Sequence, residues 1–153
     1  SRRAPKVIMT TATTKPKSSR TKSDTDYVEG VGRRKTAIAR VRATPGAKSS
    51  YTVNDMPMEE YFRTAELRAI VNAPLTREGF PGKYAITTKV NGGGTHAQAE
   101  AIRHGLSRVL VKEDATQKGE LKKLGFLKRD ARKKERKHPG LKKARKASQW
   151  SKR

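Results

Sequence analysis

The chain has 153 residues, with 37 Lys and Arg against 14 Asp and Glu, a formal net charge of +23 and no cysteine. Such an excess calls for a polyanionic partner, nucleic acid ahead of an anionic membrane, and the missing thiols exclude disulfides and thiolate metal sites. No stretch reaches the roughly 18 consecutive apolar residues of a spanning helix, so no membrane partner is expected.

Residues 1–26 carry seven basic and two acidic side chains, are rich in Ser, Thr and Lys, and hold no acid before Asp24. They read as a disordered basic N-terminal arm. An organelle transit peptide has the same composition. Residues 27–127 hold nearly all the periodic apolar positions and form the expected globular domain. Residues 128–153, with thirteen basic and two acidic side chains, form an expected extended basic C-terminal tail.

Within the domain, Tyr27–Gly32 leads into Arg33-Arg34-Lys35. Thr36–Arg42 then alternates, placing Ala37, Ala39 and Val41 on one face and Arg40 and Arg42 on the other. That pattern predicts a strand in a sheet buried on one side, with Arg40 and Arg42 on the open face as candidate RNA-binding residues. Thr44-Pro45-Gly46 is a turn signal, so Ser50–Asn54 is expected to return as the second strand of a hairpin. Asn54-Asp55 is expected to cap a short helix over Pro57–Phe62. Thr64 is expected to cap another over Ala65–Asn72, with Leu67, Ile70 and Val71 buried and Pro74 ending it. After a loop over Arg77–Gly82, Tyr84–Val90 alternates as a strand. Gly92-Gly93-Gly94 follows, then a helix from Thr95 to about Val111 with Ala99, Ile102, Leu106, Val109 and Leu110 on its core face. A last helix over Thr116–Lys123 should end at Gly125 as a left-handed cap.

Beyond Leu127 the core signal stops. Asp130–Lys137 and Leu141–Ala147 have only enough pattern for short turns, with no apolar stripe to stabilise them. Lys128, Arg129, Arg132, Lys133, Arg136 and Lys137, then Lys142, Lys143, Arg145 and Lys146, repel one another in water and release counterions when laid on phosphates. Fully extended, the tail spans roughly 80 Å at about 3.3 Å per residue. Trp150, near its end, offers a flat ring to stack on a base or sugar.

Gly92–Gly94 before a helix could admit a phosphate or make only a tight turn. It is neither a Walker loop nor a dinucleotide fingerprint. His96 and His104 lie about 80° apart on one helix, so no metal site is expected. Arg103-His104 is either a solvated face or a polar face turned to phosphates. Neighbouring acids such as Glu59-Glu60 point apart, and no acid–base pair or activated nucleophile stands out. No catalysis, cofactor or small-molecule substrate is expected.

Taken together, Gly32–Ala37, Val90–Gly94, Gln98–Gly105, Gly125–Arg132, Glu135–Lys137 and the terminal Ser151-Lys152-Arg153 resemble small-subunit ribosomal protein nine of the bacterial type, from about Tyr27 to Arg153. The resemblance implies an α+β two-layer sandwich, a mostly four-stranded mixed sheet backed by helices, like the second domain of ribosomal protein five. It implies a place in the head of the small subunit, among neighbouring ribosomal proteins and held by ribosomal RNA. Arg33, Arg34, Lys35, Gly92, Gly93, Gly94, Gln98, Arg103, His104, Arg129 and Arg132 would face that RNA. The tail tip, Ser151, Lys152 and Arg153, would reach peptidyl-site transfer RNA. A cytoplasmic ribosome is expected, or an organellar one if residues 1–26 derive from a transit peptide. Ser148 stands where the family usually has proline, and residues 1–26 have no counterpart in compact bacterial members. Two other classes stay open: an enzyme using Gly92–Gly94 to hold a nucleotide, and a non-specific basic condensing protein.

Overall fold

The computed structural model describes residues 27–46, 49–76 and 84–152. The N-terminal arm, the loop over residues 77–82 and Arg153 fall outside them. Alternation becomes strand as expected. β1 (Val28–Arg34) and β2 (Ala37–Pro45) form an antiparallel hairpin across Lys35-Thr36, and β5 (Tyr84–Asn91) pairs antiparallel with the far side of β2. β3 (Ser50–Val53) lies parallel to β5 and antiparallel to the two-residue β4 (Met56–Pro57). The sheet is mixed and five-stranded, in the order β1-β2-β5-β3-β4.

The expected hairpin between the second and third strands does not form, because β5 lies between them. Nor do Asn54 and Asp55 cap a helix. Both adopt positive φ (49° and 66°) and make the two-residue turn from β3 to β4, a conformation that Asn and Asp tolerate better than other side chains. The Asn54 amide then continues the β3–β5 ladder. Its Nδ2 donates to the Val90 carbonyl (3.0 Å), and its Oδ1 accepts from the Val90 N–H (2.9 Å). Helix α1 is short, Met58–Tyr61, and starts from Pro57. α2 (Ala65–Asn72) begins after Thr64 as expected, but the Thr64 hydroxyl makes no cap bond.

Helix α3 (Thr95–Glu113) lies on the sheet and buries Ala99, Ile102, Leu106, Val109 and Leu110, the predicted stripe. Opposite them stand Ala37, Ala39 and Val41 of β2, all fully buried, with Ile86 and Val90 of β5. Burying side chains the size of Ile102 and Leu106 contributes about 1.5–3 kcal/mol each. Small residues bring β1 closer still. A Cβ on Gly32 would lie 1.8 Å from the Ala101 carbonyl oxygen and 2.4 Å from the Gly105 nitrogen, and one on Gly30 would lie 2.6 Å from the Gly105 oxygen. Strand and helix touch backbone to backbone.

That approach lets α3 close the free edge of β1. Residues 104, 108 and 112 form an i, i+4, i+8 stripe that advances about 6 Å per step along the helix. Residues 33, 31 and 29 advance by a similar step along the strand. His104 Nδ1 accepts from the Arg33 N–H (3.5 Å), Arg108 Nη1 donates to the Val31 carbonyl (2.6 Å), and Lys112 Nζ donates to the Glu29 carbonyl (2.6 Å). An open edge would otherwise invite pairing with another chain.

Candidate nucleic-acid interface

Helix α4 (Lys118–Lys123) follows one 3-10 turn and ends at Gly125, with φ of 75°. The Phe126 N–H bonds the Leu121 carbonyl (3.1 Å) and the Gly125 N–H the Lys122 carbonyl (3.0 Å). These are the two bonds of a Schellman cap, and the glycine predicted there has the left-handed conformation the cap needs. The cap turns the chain back onto α3, where the Arg103 guanidinium lies over the Phe126 ring at 5.1 Å.

Arg34 holds the next residues. Its side chain, 13% exposed, pairs with Glu100 of α3 and with Asp130 (3.2 Å), and its Nη1 donates to the Arg132 carbonyl (2.6 Å). Asp130 in turn accepts from the Arg132 N–H and guanidinium (2.9–3.2 Å). The Arg132 contacts, with Arg34 beside them, hold the Asp130 carboxyl down to about 2. It therefore remains ionised at any pH where the fold is of interest.

Between α3 and this tail root lies a cleft of about 640 Å³, lined by Arg33, Arg103, His104, Lys128, Arg129 and Arg132 with the two acids that hold Arg34. Five cations and a histidine predicted from separate motifs thus surround one opening. Phosphate suits it, because guanidinium forks match phosphate oxygens and the two carboxylates are already engaged by arginine.

Several predicted residues have other work. Arg34 is a structural clasp rather than an open cation. The His104 ring accepts from the Arg33 N–H at Nδ1 and also bonds the Leu127 backbone. Gln98 accepts from the Tyr61 hydroxyl (2.9 Å) and donates to the Gly92 carbonyl (3.1 Å). Gly92 and Gly93 have φ of 73° and 68° and press against Thr36 and Ala37, so they form the tight turn. A Cβ on Gly94 would meet nothing within 4 Å. None of the three glycines borders the cleft. Arg40 and Arg42 stand on the open face of the sheet, both paired with Glu29 (3.2 and 2.9 Å). Lys35 occupies the exposed β1–β2 turn at φ of 50°.

The residues missed by sequence reasoning are acids. Glu100, Asp130 and Glu135 each bind an arginine. The signal was available: Asp130 and Glu135 are the only acids among thirteen cations in residues 128–153. Residues 128–137 form neither helix nor strand. Glu135 then pairs with Arg145 (2.9 Å), and Leu141 bridges Ala147 with the Lys142 N–H on the Lys146 carbonyl (2.7 Å). This part of the tail doubles back. Lys133, Arg136, Lys137, Lys142, Lys143 and Lys146 are exposed, and Trp150 is 80% exposed, so nothing in the described chain covers its ring.

Burial, then Arg108, lower the His104 pKa, with Arg129 and Arg103 adding to the effect against the Leu127 bond. The folded state thus binds this proton less readily than the unfolded chain. The His104 contribution to stability is full above about pH 6.5 and is lost as pH falls below that value. Unfolding free energy should fall between pH 7.5 and 5.5, and the slope should flatten in His104→Gln. Equal slopes in the two proteins would show that the ring does not titrate against the fold.

Among the described residues no helix is long and apolar enough to cross a membrane. Comparison with known families gives one finding: residues 32–153, which include the whole cleft and the described tail, match the family described as ribosomal protein S9/S16.

Proposed function

Since the chain belongs to the ribosomal protein S9/S16 family, it is a structural, ribosomal-RNA-binding constituent of the ribosome, and we propose that it sits in the small-subunit head with its last residues supporting peptidyl-site transfer RNA. The observation that carries the proposal is the tail. A cationic segment whose two acids are both held by arginine leaves its remaining charges facing outward. Such a segment gains most from a phosphate-lined surface.

In this reading Arg33, Arg103, Lys128, Arg129 and Arg132 bind ribosomal RNA at the cleft, and the lysines and arginines of residues 133–146 follow its backbone. Trp150 stacks on a base or ribose and fixes the approach of Ser151, Lys152 and Arg153 to transfer RNA. The charge of those last two residues is then offered at one place instead of sweeping a volume.

Removing Ser151–Arg153 should leave small-subunit assembly essentially intact. Transfer-RNA dissociation from the peptidyl site should quicken several-fold. Gradient sedimentation of the subunits measures the first and filter binding on purified subunits the second, and an unchanged dissociation rate would refute the role of the tip. Trp150→Ala should reproduce part of the effect.

A further inference from the structure

The cleft is not the only cationic surface. β2 alternates so that Ala37, Ala39, Val41 and Ala43 face α3, which sends Ile38, Arg40 and Arg42 to the opposite side of the sheet. The register adds neighbours to that side. Arg40 lies opposite Lys89 of β5 and Val31 of β1, and Arg42 lies opposite Thr87 and Glu29. Arg40, Arg42, Thr87 and Lys89 enclose a groove of about 170 Å³. The single acid, Glu29, is bound by both arginines, and Arg40 foremost lowers its pKa. The face is therefore net cationic, and among the described residues no helix covers it.

We infer that this open sheet face binds the phosphate backbone of a second RNA segment, so that the domain bridges two stretches of RNA held on opposite sides of one sheet. The inference rests on the RNA-binding reading above and adds a separate site to it. The groove and the cleft share no lining residue.

The chemistry of the face selects its ligand. Sheets that bind single-stranded RNA do so by stacking bases on aromatic side chains. Here no strand position on the open face is aromatic: it carries Val31, Ile38, Thr44, Ala85 and Thr87 beside the cations. Tyr27, just before β1, carries the Arg42 guanidinium over one ring face at 4.8 Å and is 42% exposed, a single ring where such sheets stack two or three bases. What remains is charge and hydroxyl donors at strand spacing, which fits the phosphates and 2′-hydroxyls of a duplex better than splayed bases. Apolar neighbours lower the local dielectric and strengthen the ionic contacts.

Chemical footprinting of the full chain on small-subunit ribosomal RNA tests this. Arg40→Ala with Lys89→Ala should lose protection at one RNA segment. Lys128→Ala with Arg129→Ala should lose it at another. The sheet variant should also reduce the salt dependence of binding by roughly two phosphate contacts. Thr87→Glu, which adds a carboxylate to the groove and removes no cation, should repeat the sheet result and guards against a folding defect in the double variant. A sheet variant with an unchanged footprint and salt slope would overturn the inference. So would loss of protection at the same segment in both variants, or loss of a neighbouring ribosomal protein with the footprint retained. Absence of any footprint from the unaltered chain would instead refute the RNA-binding reading on which it rests.

Discussion

Gly32→Ala should abolish the stable fold. The added methyl would sit 1.8 Å from the Ala101 carbonyl oxygen and 2.4 Å from the Gly105 nitrogen, and both neighbours are backbone atoms that cannot rotate away. Overpacked cores usually lose about 1–3 kcal/mol when side chains can yield. Here either β1 or α3 must move, so the loss should exceed that range, against a total of roughly 5–15 kcal/mol for a domain. Moving either element would also break the edge contacts of Arg108 and Lys112 with β1.

Two substitutions give the contrast. In Gly105→Ala the nearest atom is a Val41 methyl at 2.9 Å, followed by the Gly32 nitrogen at 3.1 Å. That variant also recovers about 1 kcal/mol of helix propensity, so its net loss should be much smaller. Gly94→Ser meets nothing within 4 Å and supplies the side-chain cap that α3 lacks. It should be neutral or slightly stabilising. Circular-dichroism melts should rank Gly32→Ala far below the other two, and a cooperative, near-wild-type melt for Gly32→Ala would contradict the backbone contact.

Arg34→Met should release the tail root. The methionine keeps much of the apolar stem but leaves Glu100 without its nearest ion pair, removes one of the two arginines at Asp130, and leaves the Arg132 carbonyl without its Arg34 bond. For a mostly buried clasp with partly exposed partners, the loss should be about 1–3 kcal/mol. Melting should shift by several degrees. Trypsin should cut faster at Lys128, Arg129 and Arg132, and RNA affinity should drop because the cleft loses its shape. Arg34→Lys should recover only part of this, since one ammonium cannot serve three partners set in a planar fork. Equal trypsin rates for Arg34→Met and the unaltered chain would show that the clasp does not hold the root.

The consequence for reading such chains is that a cation count overstates the RNA surface. Arg34, His104, Arg108 and Lys112 look like any other basic or polar positions in the sequence, and Arg34 and His104 even fall within family motifs. In the fold each serves the domain itself. The tail shows the reverse: its rare acids, which look incidental among so many lysines, decide where it bends.

Local pattern alone determined a good deal. Alternation placed β2 and β5, and the 3.6-residue stripe placed α3. Gly125 marked a cap, the cation density marked the tail, and the ordered motifs marked the family. Each of these is a contest among residues a few positions apart, so the chain states it directly. The strand order and the sorting of cations into clasp and surface came only with the tertiary structure. Those choices join residues 66, 71, 77 and 83 positions apart, Arg34 to Glu100, Arg33 to His104, Val31 to Arg108 and Glu29 to Lys112. All depend on glycines that let β1 and α3 touch, and the sequence near Gly32 does not reveal which backbone will arrive there.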